Sequence, residues 1–215
     1  QFKVVGTEPP ADLYRSCRQM LVGPWHNQPE EYQGYNGFVG WAGVTRLRSG
    51  QWLVAFTSGT WHVTPPWTGE VRKDPAAVRQ FKAFQKIGLP DIDAPRGGRA
   101  HIMFSDDEGA SWSRPQTLID TKDDDRQPTV LELDDGTLLS TWRVARFPGV
   151  GSCQYMLSHD GGETWADAIE LDETREIALS NGAAMQLADG TVLYVTYGPF
   201  EGTGHSSVGI YRSTD

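Results

Sequence analysis

The chain has 215 residues, 38% hydrophobic and 22% charged, with eight tryptophans and a formal net charge of −9. That balance is ordinary for a globular chain, the negative charge argues against nucleic acid as a partner, and no stretch approaches the roughly 20 apolar residues of a membrane span. The five histidines, at 26, 62, 101, 159 and 205, show no metal-ligand spacing, so neither a metal nor another cofactor is expected.

Residues 1–38 read as a lead segment. Gln1 follows no initiator Met, so an N-terminal signal has either been removed or was never included, and a secreted or periplasmic location is the expectation. Cys17 and Cys153 either form one disulfide or sit as buried thiols. A first hairpin spans 44–53, two short apolar runs about Gly50. An insertion over 61–98 follows, in which Asp74-Pro75 caps a helix carrying Val78, Phe81, Phe84 and Ile87 at near-helical spacing, with Gly88 as its stop. The chain returns through Asp91 and Asp93 to the octad Ser105-Asp106-Asp107-Glu108-Gly109-Ala110-Ser111-Trp112. A link over 123–127 leads to a second hairpin, 130–139, turning at Gly136, and then to the octad Ser158-His159-Asp160-Gly161-Gly162-Glu163-Thr164-Trp165. A third link holds Arg175, Glu176, Ser180 and Asn181, a third hairpin over 184–193 turns at Gly190, and Ser213-Thr214-Asp215 begins another octad.

Both octads read S-x-D-x-G-x-[ST]-W. Their serines, with Ser213, are spaced by 53 and then 55 residues, and Gly136 and Gly190 are 54 apart. Repetition at that period means stacked supersecondary units. Each unit reads as four antiparallel strands, in the second about 128–133, 137–144, 153–158 and 166–171, with the octad as the turn between the third and fourth. Ser and Asp side chains close that turn on backbone N–H groups, and the glycines supply its positive φ. The expectation is an all-β chain forming a β-propeller of four-stranded antiparallel blades, at about 39–120, 121–173 and a truncated 174–215, with a helical insertion in the first. A β-sandwich does not predict an in-phase repeat.

The octad resembles the Asp box, or bacterial neuraminidase (BNR) repeat, and the strand–Asp-Gly-Thr–strand hairpin ahead of it is similar to the sialidase (neuraminidase) superfamily of six-bladed propellers. The resemblance covers about 39–215 and implies a fragment, with about three of six blades present. It also implies that Arg126 in Arg126-Gln127-Pro128 looks like the arginine that binds a substrate carboxylate, with Arg143 as a second. The other reading of Arg126, a rim ion pair with Asp123, Asp124 or Asp125, stays open. The family's acid/base Asp has no counterpart in 144–151.

Strand topology puts the octads on the face away from the channel mouth. Ser105, Asp107, Gly109, Ser111 and Trp112, with Ser158, Asp160, Gly162, Thr164 and Trp165, are therefore expected to be structural. The opposite face gathers Trp41, Trp61, His62, Arg126, Arg143 and Asn181 as substrate-binding candidates, Trp61-His62 serving as a sugar platform or as packing of the insertion. Asp91 or Asp93, beneath a helical lid that raises a carboxyl pKa, is the candidate general acid, and both also read as solvated loop residues. Two functions follow: a sialidase-like glycoside hydrolase acting on terminal, acidic sugars of glycans, or a non-catalytic propeller that binds glycan or protein through the same face.

Overall fold

A computed structural model describes residues 19–23, 26–27, 37–85, 88–171, 182–199 and 205–213. Three antiparallel sheets follow one another along the chain in an all-β, propeller-like arrangement. The first orders β1 (Phe38–Arg46), β2 (Trp52–Gly59), β3 (Arg99–Ser105) and β4 (Gln116–Ile119) side by side. The second repeats this with β5 (Asp124–Glu132), β6 (Leu138–Ala145), β7 (Ser152–Ser158) and β8 (Ile169–Glu170). The third pairs β9 (Met185–Gln186), β10 (Val192–Pro199) and β11 (Ser206–Arg212). The strands expected at 128–133, 137–144 and 153–158 are present. The fourth is shorter than its expected span, and the innermost starts earlier, because Asp124, Asp125 and Arg126, read as a link, pair in register with β6.

The three hairpins close with one geometry. Leu47 N–H donates to Gln51 O, Leu133 N–H to Thr137 O and Leu187 N–H to Thr191 O, each at 2.8 Å. Gly50, Gly136 and Gly190 take φ of 92°, 89° and 88°, values at which a Cβ is strained. The middle strands β2 and β6 are buried along nearly their whole length, which requires apolar residues on both faces; Leu53 and Ala55 against Val54 and Phe56 supply them on β2, and Trp142 and Val144 against Leu139 on β6. Between the first two sheets Leu53, Ala55 and Ile102 meet Val130 and Leu138, with Trp165 of the second octad against them. Between the second and third, Leu139 and Cys153 meet Ala184 and Tyr194. Cys153 is a buried thiol, pushed up to about 11 by that burial. Cys17 lies outside the described residues.

The insertion forms helix α1 (Pro75–Gln85) where the sequence places it. Asp74 Oδ1 accepts from Ala76 N–H at 2.8 Å, the capping bond the Asp-Pro pair implies. The insertion has its own small core: Trp67 stacks on Phe81 at 4.2 Å, and Trp61 meets the same ring edge-on at 5.3 Å. Its return strand passes close to β5. A Cβ on Gly97 would lie 1.8 Å from Asp123 O, and one on Gly98 2.3 Å from Asp124 Oδ1, so only glycine admits this contact.

Candidate functional site

The hairpin turns and octads occupy one end of the sheets. The opposite end carries the start of β1 and β5, the end of β2, β6 and β10, and the insertion. There Asp124 and Arg126, two apart on β5, share a face. Arg126 Nε lies 3.2 Å from Asp124 Oδ2, with both side chains buried, and Arg126 Nη2 donates to His62 O. Asp124 Oδ2 also accepts from Thr64 N–H at 3.2 Å. Burial pushes Asp124 up to about 6 against the pull of Arg126, and burial brings Arg126 down to about 10. Of the two readings of Arg126, the ion pair with Asp124 is realised, but in the interior rather than at a rim.

Arg143 stands directly across from Arg126 on β6 and is half-buried. Two like charges facing across strands repel; burial lowers the Arg143 pKa while the Asp124 charge favours its cation, and Tyr197 of β10 lies within electrostatic range of both arginines. Above Arg126 lie three rings: the guanidinium sits 4.3 Å from the Trp41 ring centre, and Trp41, Phe38 and His62 contact one another at 4.8–5.4 Å. His62 is exposed, and burial of its ring, then the Arg126 charge, lowers its pKa. All three sheets therefore contribute to one cluster: Trp41 from the first, Asp124, Arg126 and Arg143 from the second, Tyr197 from the third.

Asp125, next along β5, faces the other way. Its Oδ2 accepts from Thr121 N–H at 2.7 Å, and burial pushes it up to about 7, with Asp124 adding to the rise. The loop after β6 is tied to the insertion: Gln80 Nε2 donates to Arg146 O at 2.9 Å and to Gly149 O at 3.1 Å, and Gly149 N–H donates back to Gln80 Oε1 at 3.2 Å.

The remaining expected site residues lie elsewhere. Asp93 pairs with Arg72 at 3.1 Å and Asp91 lies 4.0 Å from the same guanidinium, both exposed on the insertion. Trp61 packs into the insertion core beside Phe81, whereas His62 joins Trp41. Asn181 lies outside the described residues. The octads are self-contained turns. Ser105 Oγ donates to Asp107 Oδ1 at 2.8 Å, Ser111 N–H to Oδ1 at 2.8 Å, and Gly109 N–H to Ser105 Oγ at 2.8 Å. The second copy repeats these bonds through Ser158, Asp160, Gly162 and Thr164. Side-chain hydrogen bonds from Ser111 and Thr164 hold Asp107 and Asp160 down at about 2. Sequence reasoning missed Tyr197, although it stands 54 residues after Arg143, the step from Gly136 to Gly190.

No protein-family model and no curated protein sequence matches the chain. Solved structures do. A protein of unknown function from Dyadobacter fermentans is 17% identical over 82% of this chain and 51% of its own, with a TM-score of 0.58. Zg3597, a family 117 glycoside hydrolase of Zobellia galactanivorans, is 11% identical over 87% of this chain and 56% of its own, with a TM-score of 0.55. NanB sialidase from Streptococcus pneumoniae is 18% identical over 78% of this chain and 20% of its own, at 0.41. At these identities the likeness is one of fold, and the chain spans about half the length of the first two.

Proposed function

We propose that this chain forms part of a glycan-active, sialidase-like hydrolase, half of a six-bladed propeller, whose site takes a terminal acidic sugar. The observation that carries the reading is the convergence of three sheets on Arg143, Tyr197 and the Trp41–His62 rings, above the buried Arg126–Asp124 pair. A partly buried guanidinium is suited to a bidentate sugar carboxylate, and the Trp41 indole, with Arg126 against one face, offers an apolar plate to the sugar ring. Arg126, buried and bonded to Asp124 and His62, supports this layer from beneath. The fold likeness to a family 117 glycoside hydrolase supports hydrolysis as the activity. A second reading, a non-catalytic module that binds glycan or protein, is favoured by one observation: Asp124 and Asp125, the carboxyls beside Arg126, are both buried, and hydrolysis needs a carboxyl that reaches the glycosidic oxygen.

The test is release of 4-methylumbelliferone from a panel of sialosides and uronosides by the intact protein. Turnover of an acidic glycoside is expected, and Arg143→Ala is expected to lower kcat/KM ten- to hundredfold, the loss of about 1.5–3 kcal/mol for a charged hydrogen bond. Arg143 is the better target because Arg126→Ala would strand a buried Asp124, costing about 3–5 kcal/mol of stability. Binding of free sugar acids without turnover would select the binding module, and absence of both would sink the acidic-sugar hydrolase.

A further inference from the structure

Residues 61–64, which carry the chain from β2 into the insertion, are held by a bond at every residue. Trp61 N–H donates to Thr64 Oγ1 at 2.9 Å, and that hydroxyl donates back to Trp61 O at 2.7 Å. His62 O accepts from Arg126 Nη2, and Val63 O accepts from Gln85 Nε2. Thr64 N–H donates to Asp124 Oδ2 at 3.2 Å, and Thr64 O accepts from Gly98 N–H at 3.0 Å. Strand β5, helix α1 and the return of the insertion thus fasten one four-residue loop.

Within that loop the side chains divide. Val63 and Thr64 are buried and Trp61 packs on Phe81, so His62 alone of the four is exposed. Its ring still has a fixed seat, 4.8 Å from the Trp41 ring and edge-on to Phe38 at 5.4 Å. A side chain held this way loses little further freedom when a ligand meets it. The charged groups beside it are Arg126 of β5, with Asp124 bonded to Arg126 and Arg143 across from it on β6. Strand β1 presents only the uncharged rings, and the insertion presents Thr64 and Gln85, which do not titrate. Burial of the ring, then the Arg126 charge, holds the His62 pKa below the ordinary 6.5. The imidazole is therefore neutral at pH 7 and gains its proton in mildly acidic solution.

We propose that the 61–64 loop is a rigid mount presenting the His62 imidazole to the carboxylate of a bound sugar acid, so that acidic sugars are held more tightly as pH falls while their neutral counterparts are not. This rests on the glycan reading of the site given above. Asp124, pushed up to about 6, loses its charge in the same window and that too favours an anion. The difference between wild type and variant, not the wild-type profile alone, therefore reports His62. The test is calorimetric titration of the intact wild type, His62→Phe and His62→Gln with N-acetylneuraminic acid, glucuronic acid and the methyl ester of N-acetylneuraminic acid. Phenylalanine keeps the ring contacts, glutamine keeps the polarity, and neither titrates. Both should fold as the wild type does, because the loop is bonded through its backbone. From pH 7.5 to 5, where the sugar carboxylates stay ionised, the wild type should gain about two- to fivefold more affinity for the sugar acids than either variant gains, the range of an exposed ion pair. None of that excess should appear with the ester. Superimposable profiles of wild type and variants, or an equal excess for the ester, overturn the proposal alone. If the wild type binds neither sugar acid at any pH, the acidic-sugar reading fails and the proposal falls with it.

Discussion

Asp125 turns its carboxyl away from Arg126 into the junction of the first two sheets, where burial pushes it up to about 7. The unfolded carboxyl ionises near pH 4. Between those values the unfolded chain releases a proton that the folded chain keeps, so Asp125 costs stability progressively as pH rises through this window and by a constant amount above it. Asp125→Asn removes that dependence while keeping an acceptor for Thr121 N–H. The variant should melt higher than the wild type at pH 8, on the order of 2 kcal/mol more stable, and the two should converge at pH 4 in scanning calorimetry. His101 acts in the opposite sense. Buried between Ser58 Oγ at 2.6 Å and Thr117 Oγ1 at 3.3 Å, it is held down to about 3 by burial and by the Arg99 charge. The unfolded histidine takes up a proton below about 6.5 that the folded one refuses. Its contribution is therefore complete above that pH and is lost as pH falls toward 3.

Helix α1 is tied to this end of the sheets by two glutamines, Gln85, whose Nε2 donates to Val63 O beside His62, and Gln80. The three bonds of Gln80 fix the loop carrying Arg146, whose guanidinium in turn reaches Glu170 at 3.1 Å and Asp123 at 3.7 Å. Gln80→Ala should leave the sheets folded, and limited proteolysis should show cleavage at 146–151 several times faster than in the wild type. The octads hold their turns by the same kind of local bonding: Asp160→Ala removes acceptors for Ser158 Oγ, Thr164 N–H and Thr164 Oγ1. A Tm lowered by a few degrees with unchanged ligand affinity is expected, since the octads lie at the far end from Arg143. The octads, the Gly50, Gly136 and Gly190 turns and the Asp74 cap were legible in the sequence because each is closed by residues within a few positions. The bulges at Trp41 in β1 and Gln127 in β5 were not, since an extra residue in a strand is defined by the partner strand's register. The burial of Arg126 was hidden for the same kind of reason: its partners, Asp124, His62 and Trp41, come together only when two sheets and the insertion do. Asp91 and Asp93 kept two readings because a loop rich in acids reads alike whether it faces a cleft or, as in this structure, Arg72 and solvent.

At the scale of the whole molecule both junctions between sheets keep a hollow, that of the first being about 780 Å³ at the hairpin end, lined by Leu47, Phe104, Leu138 and Gly162. Trp165 lies in the first junction, packed against both of its apolar clusters. The second retains a cavity of about 450 Å³ lined by Leu139, Leu157, Ala184, Tyr194 and Tyr211. The outer face of the third sheet is more open still: Val208 is 75% exposed and Ile210 61%, with Val195, the cross-strand partner of Ile210, also exposed. Among the described residues β11 is an edge strand, paired on one side only, to β10. An apolar face joined to an open edge favours association with another sheet, because pairing satisfies the edge hydrogen bonds while burying Val208 and Ile210 together. Each fully covered aliphatic side chain stabilises that contact by about 1.5–3 kcal/mol before the entropy of association is counted. The 215-residue chain on its own should accordingly self-associate with rising concentration in light scattering coupled to size exclusion. Lysine on this face resists that pairing through repulsion and the cost of burying its charge. Val208→Lys combined with Ile210→Lys should shift the chain toward monomer while leaving its melting temperature within a few degrees, as both side chains already lie in solvent. A monomer at all concentrations in the unsubstituted chain would show that the face is tolerated in water as it stands.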